Sequence, residues 1–359
     1  VTATPHRPPS ITARPTTARP ATARPATVDL DENGRLLVPG TATPVPEARV
    51  AEHLARHLRI PEWATDLFVY VHGWQTSPDA AHRTAAALVD RATALHGTAP
   101  GAYPGLAAGF RPWCVVVRWP SSSLPTLHGY RRIRERAHAM SARGQAGRIL
   151  GHLLGYLDSG RGRPDAPRVL ANRHGQYLHL LGHSFGGRFL CEAVQYAADR
   201  PTGPPVLSWS SRSGDPARPF TVDSALVFQM AAPRDAFDRL FPRLFLGPGR
   251  AGAPLRGPLV LTHSRWDRAT GFWHLRAEGR PGIGHSGAGS APVAQFSTRL
   301  RPTDSPYPHA DLDHPIVNID AGHVYRGGLA TRLHPSGAHS DFQHPESAHL
   351  LLSLASHSR

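Results

Sequence analysis

The chain has 359 residues, enough for one large α/β domain or two small ones. Its formal charge is +14, and every one of its 40 lysine-or-arginine cations is arginine. No aromatic-basic stripe accompanies that charge, no run reaches the roughly 18 apolar residues of a membrane span, and no charged-then-apolar leader is visible. These features argue against a nucleic-acid binder and a transmembrane chain, and favour a cytoplasmic location.

Residues 1–27 are low-complexity, with Thr-Ala-Arg-Pro recurring at 12–15, 17–20 and 22–25. Proline at that density blocks helix and sheet, which predicts a disordered basic tail ahead of a single domain over residues 28–359. Val28 to Val38 reads as a hairpin around Asn33-Gly34. Pro46 to Leu58 reads as a short helix. Asp66 to Val71 is a buried strand by composition, and Ser77-Pro78 then caps a helix carrying Ala81, Ala85, Leu88, Val89, Ala92 and Leu95 at helical spacing. Trp113 to Trp119 is the next strand, and Ile133 to Leu157 is helical with glycine interruptions. Gln176 to Leu181 and Arg188 to Asp199 form a further strand and helix. Ala225 to Ala231, Pro258 to Thr262 and Ile316 to Asp320 are three more strands, and residues 345–357 a last helix. Alternating strands and helices predict an α/β fold, a mostly parallel sheet with helices on both faces. Ligands in such folds bind beyond the carboxyl ends of the strands.

One of those junctions carries chemistry. Gly182, His183, Ser184, Phe185 and Gly186 stand between a strand and a helix, the arrangement of a nucleophile elbow. The pentapeptide alone is weak, since about 0.2 chance matches are expected in a chain this rich in glycine. A near miss, Gly284-His285-Ser286-Gly287-Ala288, has no strand ahead of it and reads as loop. The context selects Ser184 as nucleophile.

The loops after other strands supply its partners. His72-Gly73-Trp74 follows the first parallel strand, which assigns the backbone N–H groups of Trp74 and Phe185 to an oxyanion hole. Asp267 follows the strand at 258–262 and is the preferred acid, with Asp235 as its competitor. A histidine after the last strand completes the set: His339 is preferred and His323 is second, ahead of His334 and His344. Trp74, Trp119 and Trp266 fall at strand ends, as pocket walls or as packing. Cys114 and Cys191 read as buried free thiols, and the five-residue step of His334, His339, His344 and His349 matches no usual metal spacing.

The chain resembles the α/β-hydrolase superfamily over roughly residues 60–357. Val69-Tyr70-Val71-His72-Gly73-Trp74, Arg118-Trp119-Pro120-Ser121 and Gly182-His183-Ser184-Phe185-Gly186-Gly187 are similar to motifs of a poorly characterised group of bacterial serine hydrolases. The resemblance implies a Ser/Asp/His triad and no cofactor, and it does not imply a substrate. With the elbow and its candidate partners, the reading is a serine hydrolase acting on a small acyl ester, with a thioester or amide or a non-catalytic binding scaffold as alternatives. The chain departs from that group in its basic tail and in the long segment 275–315.

Overall fold

The computed structural model describes residues 24–124, 126–140, 144–160, 176–198, 222–242, 244–245, 255, 257–328 and 334–359. Most of the predicted tail lies outside them.

Among the described residues, eight strands form one sheet in which every pairing is parallel. In chain order they are β1 (Ala26–Asp29), β2 (Asp66–Val71), β3 (Pro112–Arg118), β4 (Tyr177–His183), β5 (Ser224–Phe228), β6 (Leu259–His263), β7 (Gln295–Arg299) and β8 (Ile316–Asp320). Across the sheet the order is β1-β3-β2-β4-β5-β6-β8-β7, so β4 lies in the middle with its carboxyl end between those of β2 and β5.

The central strands are buried almost throughout and mostly apolar because both faces are covered. On one face, Leu67, Val69, Val71, Val115 and Val117 pack with helices α1 (Val50–His57), α3 (Leu127–His138), α4 (Ala146–Gly160) and α5 (Phe185–Ala198). On the other, Phe68, Tyr70, Cys114 and Val116 pack with α2 (Pro78–Thr98) and the final helix, Pro345–His357. Ser77 Oγ accepts from Ala80 N–H at 3.2 Å to cap α2, and Ala81, Ala85, Leu88, Val89 and Ala92 form its buried stripe. Both cysteines are buried free thiols, and burial pushes both thiols up, Cys114 to about 12.

Four local expectations differ from what is found. Ala26 and Thr27, assigned to the tail, belong to β1, which pairs with β3; the expected hairpin is short, its arms joined by the Leu30–Leu36 bridge and by Asp31 N–H on Arg35 O and Leu37 N–H on Asp29 O around the turn at Gly34. The helical run from Ile133 to Leu157 is two helices, α3 and α4. Helix α5 starts at Phe185 rather than Arg188, because the elbow leads straight into it. Edge strand β7 lies inside the long segment 275–315; its alternately half-buried residues lack the apolar run that marks the central strands.

Candidate functional site

The elbow is built by contacts on three sides. Ser184 has φ +56°, in the left-handed region, and its N–H donates to Phe228 O at 3.0 Å, which ties the turn to β5. A side chain at Gly186 could not be accommodated: its Cβ would stand 2.1 Å from Val71 O. A Cβ on Gly73 would stand 2.7 Å from Ser184 Cβ, so the His72-Gly73-Trp74 loop lies directly against the serine.

The structure brings Ser184, His339 and Asp267 together. Ser184 Oγ is 2.7 Å from His339 Nε2, and His339 Nδ1 is 2.8 Å from Asp267 Oδ2. All three are buried, Ser184 at 1% and Asp267 at 0% exposure. With Nδ1–H donated to the carboxylate, Nε2 is left to accept from the serine hydroxyl. Burial by itself would raise the Asp267 carboxyl; the neighbouring His339 ring and the Thr270 N–H, 2.9 Å from Oδ1, outweigh it and hold the carboxyl below its ordinary range.

The competitors lie elsewhere. Asp235 is at the surface, paired with Arg239 and Arg280. His323 is exposed, His334 contacts Ser336, and His344 pairs with Asp341. Ser286 sits in a single helical turn, Ile283–Ser286, which differs from the loop expected of it. That turn packs tightly: Gly284 N–H donates to Met230 O at 2.9 Å, and the His285 ring reaches Asp267 O at 3.1 Å.

Two supporting residues escaped sequence reasoning. The Nε2–H of His183 donates to the backbone carbonyl of His339 at 2.9 Å, and its ring lies 4.9 Å from the His339 ring and 4.8 Å from that of Phe342. Burial lowers the His183 pKa to about 3, so it stays neutral beside His339. Gln229, fully buried with φ +48°, donates from Nε2 to Ala338 O at 2.9 Å and to Asp267 Oδ2 at 3.3 Å. It thus ties the acid loop to the histidine loop. His183 occupies a variable place of the elbow pentapeptide, and only its position at the end of β4 hinted at a role. Gln229 directly follows β5, the one available signal.

His72 serves the loop rather than a proton transfer. Its Nδ1–H donates to Gly73 O at 2.9 Å, its Nε2 accepts from Trp119 N–H at 3.2 Å, and burial lowers its pKa to about 4. Trp119 is packing: its indole N–H donates to His72 O at 2.8 Å and its ring stacks 5.9 Å from Phe189. Trp266 is fixed on Gly322 O at 3.1 Å. Trp74 stands beside the serine, half-buried, with its indole N–H on Ser123 Oγ at 2.7 Å and its ring 5.5 Å from Tyr130. Tyr130 in turn lies 5.3 Å from the Phe185 ring, so an aromatic wall adjoins the elbow.

Among the described residues, no group of three or more His, Cys, Asp or Glu could hold a metal ion, and no helix is long and apolar enough to cross a membrane. No family model and no curated protein matches the sequence. Among solved structures, the chain is similar to TT1662 from Thermus thermophilus, with 16% identity over 84% of this chain and 91% of that one, at a TM-score of 0.35. A likeness this loose says nothing about the site.

Proposed function

We propose that the chain is a serine hydrolase cleaving carboxylic esters through an acyl-enzyme on Ser184. The observation that carries this reading is a serine in left-handed backbone at the head of a helix, 2.7 Å from a histidine whose other nitrogen is 2.8 Å from a fully buried carboxylate.

In the proposed reaction, Ser184 Oγ attacks the ester carbonyl as its proton passes to His339 Nε2. Asp267 stabilises the imidazolium and holds the ring in the required tautomer. The oxyanion is held by the backbone N–H groups of Phe185 and Trp74. Phe185 opens α5, so no carbonyl lies a turn earlier in the helix for its N–H, and the positive end of that helix points the same way. Next to Trp74, Gln75 has φ +57° and gives its own N–H to Ser121 O at 3.1 Å, which fixes the backbone leaving Trp74. Collapse of the intermediate expels the alcohol, which takes the proton from His339. Water, activated by the same ring, then releases the acid. The motif resemblance to bacterial α/β-hydrolases supports the same reading.

A fluorophosphonate probe and a panel of p-nitrophenyl esters of graded chain length test it. The native chain should label and turn over at least the short esters, and Ser184→Ala should do neither. Unchanged hydrolysis in that variant would remove the mechanism.

A further inference from the structure

The described residues expose four large apolar side chains: Leu124 at 73%, Phe272 at 48%, Leu275 at 46% and Leu240 at 39%. All four lie in segments that follow the carboxyl ends of strands β3, β5 and β6, the side of the sheet on which Ser184 emerges. Single exposed apolar residues are ordinary on a protein surface; their confinement to one side is not.

Hydrogen bonds and ion pairs join these segments into one surface. Phe272 and Leu275, three residues apart, share a face of the helical stretch 269–278, and the Arg276 guanidinium lies 5.2 Å over the Phe272 ring. Arg131 of α3 donates to Arg276 O at 3.2 Å, and Arg134 to Ala277 O at 3.2 Å. Leu124 leads into α3 next to Ser123, whose hydroxyl holds the indole of Trp74 beside the elbow. On the far side, Arg280 pairs with Asp235, one helical turn before Leu240.

The charge on this surface is net positive. Segments 119–140 and 268–280 carry seven arginines (131, 132, 134, 136, 268, 276 and 280) and two glutamates, Glu135 and Glu278. Both glutamates pair with Arg134, while Arg136 pairs with Glu32 and Arg280 with Asp235, so arginines still outnumber the acids that face them. Apolar tips among arginines are the chemistry of a surface that inserts side chains into the acyl boundary while its cations meet anionic headgroups. Ser184 itself is only 1% exposed; Phe185 is next to it in sequence, and the Tyr130 ring lies against those of Phe185 and Trp74.

We infer that the Leu124, Phe272 and Leu275 face docks on anionic lipid bilayers and draws lipid esters toward Ser184. The docking stands on the surface alone; the substrate class rests on the hydrolase reading above.

The test is co-sedimentation of the full chain with vesicles of phosphatidylcholine, or of equal parts phosphatidylcholine and phosphatidylserine. The native chain and Ser184→Ala should both bind the phosphatidylserine vesicles about tenfold or more tightly than the neutral ones, less so as salt rises. The triple variant Leu124→Ser, Phe272→Ser, Leu275→Ser should lose about tenfold or more of that binding while hydrolysing water-soluble p-nitrophenyl acetate at the native rate. Equal binding by the triple variant would locate membrane affinity elsewhere and overturn the inference, as would absence of binding by the native chain. A native dimer that the triple variant dissolves into monomers, with neither binding vesicles, would make this face a contact between copies of the chain. Failure of the ester assay in the native chain would instead count against the hydrolase reading and leave the vesicle result standing.

Discussion

Two Ser–His–Asp strings run through this molecule, at opposite ends of the strands. At the carboxyl end, Ser184, His339 and Asp267 are linked at 2.7 and 2.8 Å. At the amino end, Ser224 Oγ is 2.8 Å from His179 Nδ1, and His179 Nε2 is 3.3 Å from Asp66 Oδ1. Both serines and both acids are buried, and in both acids the partners outweigh burial and hold the carboxyl low. The difference lies in what surrounds each string. Ser224 sits in a strand, in register opposite His179, with no helix starting behind it. Asp66 also takes two hydrogen bonds from Arg359, at 2.9 and 3.1 Å, and one from Thr65 Oγ1 at 2.6 Å. A guanidinium that close already balances the carboxylate. Among the described residues no arginine pairs with Asp267; its partners are His339, the Thr270 N–H and the Gln229 amide. An imidazolium on His339 therefore has that carboxylate to itself. On the proposed reading of Ser184 as nucleophile, the comparison teaches that three residues in a row are not enough, and that backbone presentation and an acid without an arginine partner set the two ends apart.

The largest expected contrast is between the serines. Ser184→Ala should cost about 10⁶-fold in ester turnover, the scale seen when a triad serine is removed. Ser224→Ala should leave turnover within a few-fold in the same assay, and a comparable loss there would erase the distinction between the two ends.

The acids come next. Asp267→Asn leaves the nucleophile in place but favours the wrong histidine tautomer, with an expected loss of about 10⁴ in turnover. Asp66→Asn leaves His179 and Arg359 facing a neutral partner in a buried position. It should lower stability by on the order of 3 kcal/mol in chemical denaturation while turnover stays near native. If Asp66→Asn abolished turnover without loss of stability, the roles of the two ends would have to be exchanged.

The smallest effect concerns His183. Its folded pKa of about 3, like that of His72 at about 4, lies below the ordinary histidine value of about 6.5. Between those values the unfolded chain binds more protons, so this contribution to stability is complete above about pH 6.5 and is lost as pH falls through the window. His183→Gln keeps a donor for the His339 carbonyl but removes one titrating group. The dependence of melting temperature on pH should flatten between about pH 6.5 and 4, with turnover at pH 8 within a few-fold. His183→Leu also flattens that dependence, yet loses the donor, and should lower turnover about tenfold. Equal turnover in the two variants would show that the hydrogen bond to His339 positions nothing.

Much of the molecule is legible from sequence, for reasons tied to particular residues. The apolar run Asp66 to Val71 and the Ser77-Pro78 cap are local signals, and they reappear as β2 and the start of α2 at the same residues. The central strands are mostly apolar because a parallel sheet buries both faces. Ser184 is marked by glycines that a tight turn requires, and the strand-then-loop pattern narrows its partners to a few acids and histidines. Local sequence says nothing, however, about which loop reaches which. Asp235 and Asp267 each follow a strand, and His323 lies nearer the end of β8 than His339. The choice between them comes from long-range packing: the Asp267–Gly337 bridge, the Ala338 N–H on Trp266 O at 3.0 Å, and Gln229 bonded to both loops. The look-alike string of Ser224, His179 and Asp66 was equally invisible, because its members meet only through the register of β2, β4 and β5 and the return of Arg359 to the start of β2. Sequence alone thus determined the layered α/β architecture and the serine, since hydrophobic pattern and turn chemistry act within a few residues. The tertiary structure alone decided which histidine and which acid face that serine, since those contacts span 155 and 72 residues of chain and exist only once the sheet has set its strands side by side.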